Sequence, residues 1–222
     1  MWVRDELVLA RKITNTGTRN LIGKFPSLKM GRVVWYESLL ERDYMYLLEI
    51  DSDVISYREQ PGRIYYTLGG KRHRYTPDLL VERRSEKQII EVKLKKVAEK
   101  EEYRRLFHIA GEICRRESYE FRVATEETIR LQPRLNGIKL LYKYARTVLL
   151  PQHQIGCHEF FTMKQEAPLG EVTRFFASKG VGQQVVYALI FHGVLSADLT
   201  RPLTQHSVVR LPIPAHAARK AS

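Results

Sequence analysis

Three polar residues set among apolar strand material carry the chemistry of this sequence: Asp78, Glu91 and Lys93. Asp78 follows Pro77 at the head of Leu79-Leu80-Val81, and Glu91-Val92-Lys93 lies in the run Gln88–Lys95. Ser85, Glu86 and Lys87 supply a polar turn between the two runs, so the pattern predicts two adjacent strands, the first extending back to Lys71. Side chains alternate along a strand, which places Glu91 and Lys93 on one face and Ile90, Val92 and Leu94 on the other. Pro77 lacks an amide donor and suits a strand start or edge. Hard cations such as Mg2+ or Mn2+ take one or two carboxylates, carbonyl oxygens, water and substrate phosphate. Asp78 and Glu91 offer the carboxylates and the Val92 carbonyl a further oxygen, while Lys93 is placed to orient a water or steady negative charge. These are the parts of metal-dependent phosphodiester chemistry. The plainer reading puts Asp78 in a turn and Glu91 and Lys93 on a solvated strand face.

The surrounding elements decide whether these groups converge. Residues 36–50 place Leu40, Tyr44, Leu47 and Leu48 at helical spacing, with Glu37, Glu41, Tyr44 and Leu48 along one stripe, so Glu41 points toward the sheet. Residues 54–59 read as a strand ending at Gln60-Pro61. Residues 63–68 form a hairpin with the next strand across Gly69-Gly70. Val97–Tyr119 reads as a long helix with Arg104, Arg105, Arg115 and Arg116 on its polar side, followed by a strand at 120–124 and a basic helix at 135–146.

Ser38-Leu-Leu-Glu41, Arg58-Glu-Gln60-Pro61, Tyr75-Thr-Pro-Asp78 and Glu91-Val-Lys93 together resemble TnsA, the endonuclease subunit of heteromeric cut-and-paste transposases, some of them CRISPR-associated. Pro77-Asp78…Glu91-Val92-Lys93 is the PD-(D/E)xK nuclease pattern, and the likeness runs from about Trp35 to Val123. It implies an α/β, restriction-endonuclease-like core in which a mixed sheet is flanked by helices. It further implies that Glu41, Asp78 and Glu91 bind Mg2+ (or Mn2+) and that Lys93 completes the catalytic set. Gln60 offers no direct chemistry, and a supporting or backbone-satisfying role behind the site is expected of it. The substrate implied is double-stranded DNA at transposon ends, cut at the 5′ ends, with a TnsB-type transposase and a TnsC-type AAA+ ATPase as partners. A stand-alone repair, restriction or junction nuclease, or a non-catalytic DNA-binding scaffold, are the alternatives.

Composition agrees with a polyanionic partner. Lys and Arg number 37 against 25 Asp and Glu, a net charge of +12. Arg72 and Arg74, and with them Lys95 and Lys96, are the candidate phosphate contacts, and Arg11, Lys12, Arg19 and Lys24 make the N-terminal segment basic. Residues 6–13 read as a short helix. No apolar run is long enough for a membrane span, and no secretory leader pattern is present. Only Cys114 and Cys157 occur, far apart, which fits a reduced cytoplasmic (bacterial) setting.

A boundary is expected near Leu150, giving a nuclease domain over 1–150 and a small winged-helix-like domain over 151–222 with a disordered tail after Pro212. Two short helices around Gly180-Val-Gly182 suggest helix-turn-helix, and residues 198–211 a wing. The second helix, Gln183–Leu195, offers only Gln183 and Gln184 to base edges. The apolar remainder points to a partner-docking role.

The charge sets a measurable expectation. With about six phosphate contacts, DNA affinity should fall on the order of a thousandfold between about 50 and 200 mM salt. Filter binding across that range checks it, and a flat response would assign the charge to something other than DNA.

Overall fold

The computed structural model describes residues 6–9, 23–162 and 164–212, so Arg11, Lys12, Arg19 and the tail beyond Pro212 lie outside the described residues. The chain divides into two compact units, Met1–Leu131 and Gln132–Ser222.

The first unit is mixed α/β. Its N-terminal strand β1 (Glu6–Leu9) stands where a helix is expected from the local pattern. Antiparallel pairing of Leu7 with Ile64 on β5 overrides local propensity there. Strands β2 (Gly23–Pro26) and β3 (Val33–Tyr36) form a ribbon that leads into helix α1 (Leu39–Ile50). Ser38 caps α1 by accepting the Glu41 amide at 3.1 Å. Then follow β4 (Val54–Glu59), β5 (Gly62–Leu68), β6 (Lys71–Tyr75), β7 (Leu79–Arg83) and β8 (Lys87–Val92). The polypeptide continues through α2 (Lys95–Ala98), α3 (Glu101–Arg116), β9 (Glu120–Ala124) and α4 (Glu126–Ile129).

The run Lys71–Val81, expected as one strand, is broken at Thr76-Pro77-Asp78. β6 joins a three-stranded sheet of order β1-β5-β6, whereas β7 joins a four-stranded sheet of order β4-β7-β8-β9. Pro77 cannot donate to a ladder, so the chain changes sheets at the residue that precedes Asp78. The four-stranded sheet is antiparallel except at β8-β9, where the crossover through α3 makes the pair parallel. Ile64, Leu80 and Ile89 meet Ala110, Ile113 and Cys114 of α3 in one cluster, with Leu7, Tyr66 and Tyr75 packed against it. The two sheets therefore share a single apolar core around α3.

Buried acids tie down the ends of α1. Glu49 accepts from the Ser27 hydroxyl at 2.5 Å, from the Leu28 and Lys29 amides at 3.1 Å, and from the Tyr57 hydroxyl at 2.6 Å. Asp43 pairs with Arg130 at 2.8 Å, which holds α4 on α1. A carboxylate so buried persists because its oxygens are satisfied.

The second unit contains α5 (Arg134–Tyr144), α6 (Pro151–Phe161), β10 (Glu166–Pro168), α7 (Leu169–Ser178), α8 (Gln183–Phe191), β11 (Ser196–Ala197) and β12 (Val208–Arg210). Its three strands are antiparallel in the order β10-β12-β11. Gly180 ends α7 with φ of 75°, a conformation glycine reaches without steric cost. Val185, Val186, Ala188, Leu189, Ile190 and Phe191 of α8 are all buried. The apolar character of this helix is consumed by its own core, which corrects the expectation that it forms a partner-facing patch. Tyr187 of α8 stacks on Tyr144 of α5 with ring centroids 5.1 Å apart. Both cysteines are buried free thiols, Cys114 in the first unit and Cys157 in the second.

The helix expected to close the nuclease domain, α5, thus packs on α8, and the units part at Leu131 rather than near Leu150. A chain ending at Leu150 would strand α5 with Leu135, Ile138 and Leu141 uncovered. A chain ending at Leu131 should therefore be soluble and melt cooperatively, whereas one ending at Leu150 should bind a hydrophobic dye and self-associate. Dye binding and gel filtration of the two truncations check this.

Candidate active site

Register builds the site. Glu59 faces Leu79 across β4-β7, and Leu79 faces Ile90 across β7-β8. One step further along both ladders brings Gln60, Asp78 and Glu91 side by side at one end of the sheet. The Gln60 amide donates to the Asp78 carbonyl at 2.7 Å, which continues the ladder by one bond. Side-chain alternation sets Asp78 and Glu91 on the face of Leu80 and Ile89, the face covered by α3.

Asp78 turns back across the strands: its Oδ2 accepts the Val92 amide at 2.6 Å. That bond fixes the carboxylate and satisfies a strand-end donor. Glu91 is only 2% exposed. One of its oxygens receives the Lys93 ammonium at 2.7 Å and the other receives the Tyr75 hydroxyl in a short hydrogen bond. Tyr75 ends β6, so this contact joins the two sheets at the site. Glu41, in the first turn of α1, accepts the Glu37 amide at 2.9 Å. Glu37 in turn accepts the side-chain amide of Gln60 at 2.6 Å. Gln60 has φ of 41°, unusual for a residue with a side chain, and two hydrogen bonds hold it there.

The electrostatics are those of crowded acids. Burial pushes the Asp78 carboxyl well above the usual carboxylate range, and Glu91 and Glu41 add to the rise against the Val92 amide and Lys93. Glu41 is also raised, by burial first and then by Glu37 and Glu91, with the Glu37 amide and Ser38 opposing. Burial works against the Lys93 ammonium, but Glu91 and Asp78 outweigh it and hold its pKa above the ordinary lysine value. Lys93 is accordingly a cation, not a base. Burial and then the neighbouring Glu91 carboxylate keep Tyr75 a neutral hydrogen-bond donor, its pKa well above that of an ordinary tyrosine.

Asp78, Glu91 and Lys93 are thus within direct or one-residue reach of each other, and Glu41 is close enough to raise Asp78. Val92 enters through its amide, whereas the sequence pattern points to its carbonyl. Among the described residues no group of three or more His, Cys, Asp or Glu side chains is arranged to hold a metal ion by itself. Each expected ligand is turned onto a protein donor: Asp78 onto Val92, Glu91 onto Lys93 and Tyr75, Glu41 onto Glu37. Tyr75 and Glu37 are the members that residue spacing does not single out as partners. Tyr75 sits beside the motif Pro77-Asp78, but only the switch of sheets aims its hydroxyl at Glu91.

Of the candidate phosphate contacts, Arg72 and Arg74 lie exposed on β6 and Lys96 is exposed in α2. Lys95 is committed locally, its amide to Glu126 at 2.7 Å and its ammonium to Glu127 at 2.9 Å.

Residues 51–126 match the family model described as TnsA-like endonuclease N terminal. That stretch is similar to the N-terminal domain of TnsA-like endonucleases. The matched stretch holds Gln60, Asp78, Glu91 and Lys93, while Glu41 lies before it. A search of curated proteins returned no match. No helix among the described residues is long and apolar enough to cross a membrane.

Like charges gathered at one end of a sheet cost stability. Because the folded chain holds the Asp78 proton more tightly than the unfolded chain, stability should fall as pH rises from the ordinary aspartate range through the raised folded value. Asp78→Asn removes that charge and keeps an oxygen for the Val92 amide. At neutral pH and without metal it should unfold at higher urea than the parent, by about 1 kcal/mol. Urea titration checks the sign, and a less stable variant would show that the repulsion is not the governing effect.

Proposed function

We propose that this protein is a metal-dependent DNA endonuclease that cleaves the 5′ ends of a transposon during cut-and-paste transposition, together with a TnsB-type transposase and a TnsC-type ATPase. The observation that carries the reading is the grouping of Asp78, Glu91 and cationic Lys93 at one sheet end within a TnsA-like domain, with Glu41 beside them. The donor set suits a hard divalent cation: Asp78, Glu91 and Glu41 are carboxylates in excess of the local positive charge, and one or two of them with substrate phosphate and water satisfy Mg2+. The Val92 carbonyl is the further oxygen proposed. When bound, Mg2+ or Mn2+ supplies Lewis-acid activation of the attacking water and of the leaving 3′ oxygen.

The protein's own contributions follow from the geometry. Lys93, held cationic, donates to a nonbridging phosphate oxygen and steadies the charge that develops in phosphoryl transfer. Tyr75 donates to Glu91 and limits how its carboxylate can turn. Gln60 and Glu37 fix the approach of α1, and with it Glu41. Arg72, Arg74 and Lys96 contact DNA phosphates, and Lys95 joins them in competition with Glu127, which pairs with its ammonium.

The second unit has the order helix, helix, strand, helix, helix, strand, strand, with its middle strand in the sheet contributed last. That order supports a winged-helix-like domain, for which we propose a role in docking the transposase or ATPase.

The test is cleavage of supercoiled donor plasmid carrying transposon ends, with the neighbouring transposase and ATPase added. Asp78→Ala, Glu91→Ala and Glu41→Ala should each lower cleavage at least about a thousandfold with the fold intact, whereas Lys93→Ala should lose cleavage but keep metal affinity by calorimetry. Wild-type cleavage in Glu41→Ala would move the role to Glu37, and unchanged cleavage in Asp78→Ala would sink the reading.

A further inference from the structure

The three-stranded sheet β1-β5-β6 presents one face to α3, and no described element of the first unit covers the other. Leu7, Ile64, Tyr66 and Tyr75 occupy the inner face. Register then fixes the outer one: Tyr65 faces Arg74 and Glu6, Thr67 faces Arg72, and Arg63 lies two residues before Tyr65 on β5. Arg63, Arg72 and Arg74 are exposed. The Arg72 guanidinium lies 4.8 Å from the centre of the Tyr65 ring. It also meets the Glu6 carboxylate at 3.7 Å, with the two side chains 48% and 46% exposed. Among the described residues neither Arg63 nor Arg74 has a carboxylate at ion-pair distance.

Resting on the nuclease reading above, we infer that this outer face, Arg63, Tyr65, Arg72 and Arg74, is a docking surface for the DNA backbone flanking the cut, and that Glu6 occupies the phosphate position on Arg72 until DNA arrives. Four residues separate the levels of Arg63 and Arg72 along the sheet, about 13 Å at strand rise. That length matches about four nucleotides of one strand at about 3.4 Å each. Guanidinium forks suit phosphate oxygens. Its arginines are exposed and spread along the strands, so the face fits an extended backbone and not an enclosed small anion. Tyr65 is already covered by Arg72, which makes the ring a support that holds the guanidinium outward by cation–π attraction. β6 runs from this surface into Tyr75, which bonds Glu91, and then into Asp78, so a backbone bound here is tied through one strand to the acids. Contacts of this kind carry no base sequence.

The test is equilibrium binding of full-length protein to a short duplex in EDTA, where no cleavage occurs, over a salt series. Arg63→Gln/Arg72→Gln/Arg74→Gln should weaken binding and flatten the log–log salt slope by about three, one for each phosphate left without its guanidinium. Arg104→Gln/Arg105→Gln/Arg116→Gln on α3 removes the same charge and should leave the slope near that of the parent. Glu6→Gln should tighten binding by several-fold, an outcome that a damaged fold does not produce. Tyr65→Leu should weaken duplex and single strand alike; selective loss of single-strand binding would make the ring a base-stacking platform and overturn the backbone assignment. Equal slopes in the two triple variants, or no gain in Glu6→Gln, would also overturn it. If the parent binds and cuts DNA but the sheet variant keeps its slope, only this surface fails. If the parent binds no DNA, the nuclease reading fails with it.

Discussion

The bond from the Val92 amide to the Asp78 carboxylate, 2.6 Å long, is the contact on which the arrangement of the candidate site turns. It closes the end of the β7-β8 ladder with a side chain where Pro77 has ended backbone pairing. The same few residues therefore end one strand, begin another in a different sheet, and hold an acid still. Glu91 can then lie beside Asp78 on the face that α3 covers, although its charge makes Asp78 harder to ionise. Lys93 and Tyr75 make the enclosure possible by supplying one donor to each Glu91 oxygen.

Much of this is legible in the residues. Proline before an acid, a β-branched run and an acid-x-lysine step specify two strands with their polar groups at one end, and the structure has both strands there. Glu41 is legible from helical periodicity, since Ser38 caps the helix and fixes its phase. What the residues do not disclose is long-range. The break between β6 and β7 looks like continuous strand material, because Pro77 is compatible with either a strand start or a change of sheet. Tyr75 and Glu37 acquire their partners only when separate elements meet. Gln60 needs the φ of 41° and the Glu37 hydrogen bond before its motif position has a physical account.

The second unit shows a different limit. An apolar helix reads alike whether it will be buried or will bind a partner, and α8 is core. The same ambiguity hides the division of the chain: α5 carries a basic outer side that matches the first unit's charge, but Leu135, Ile138 and Leu141 pack where α8 is. Loop composition near Leu150 is a weaker guide than the apolar face of the preceding helix.

The two cysteines give this division a chemical signature. Burial raises each thiol to about 12, so neither presents thiolate to solvent while its surroundings stay closed. Cys114 sits under the sheets and Cys157 within α6, one to each unit. A thiol reagent consequently reads the opening of each half on its own residue, and peptide mapping separates the two signals. The chain carries its own pair of reporters of local unfolding, one in each unit, with no label introduced.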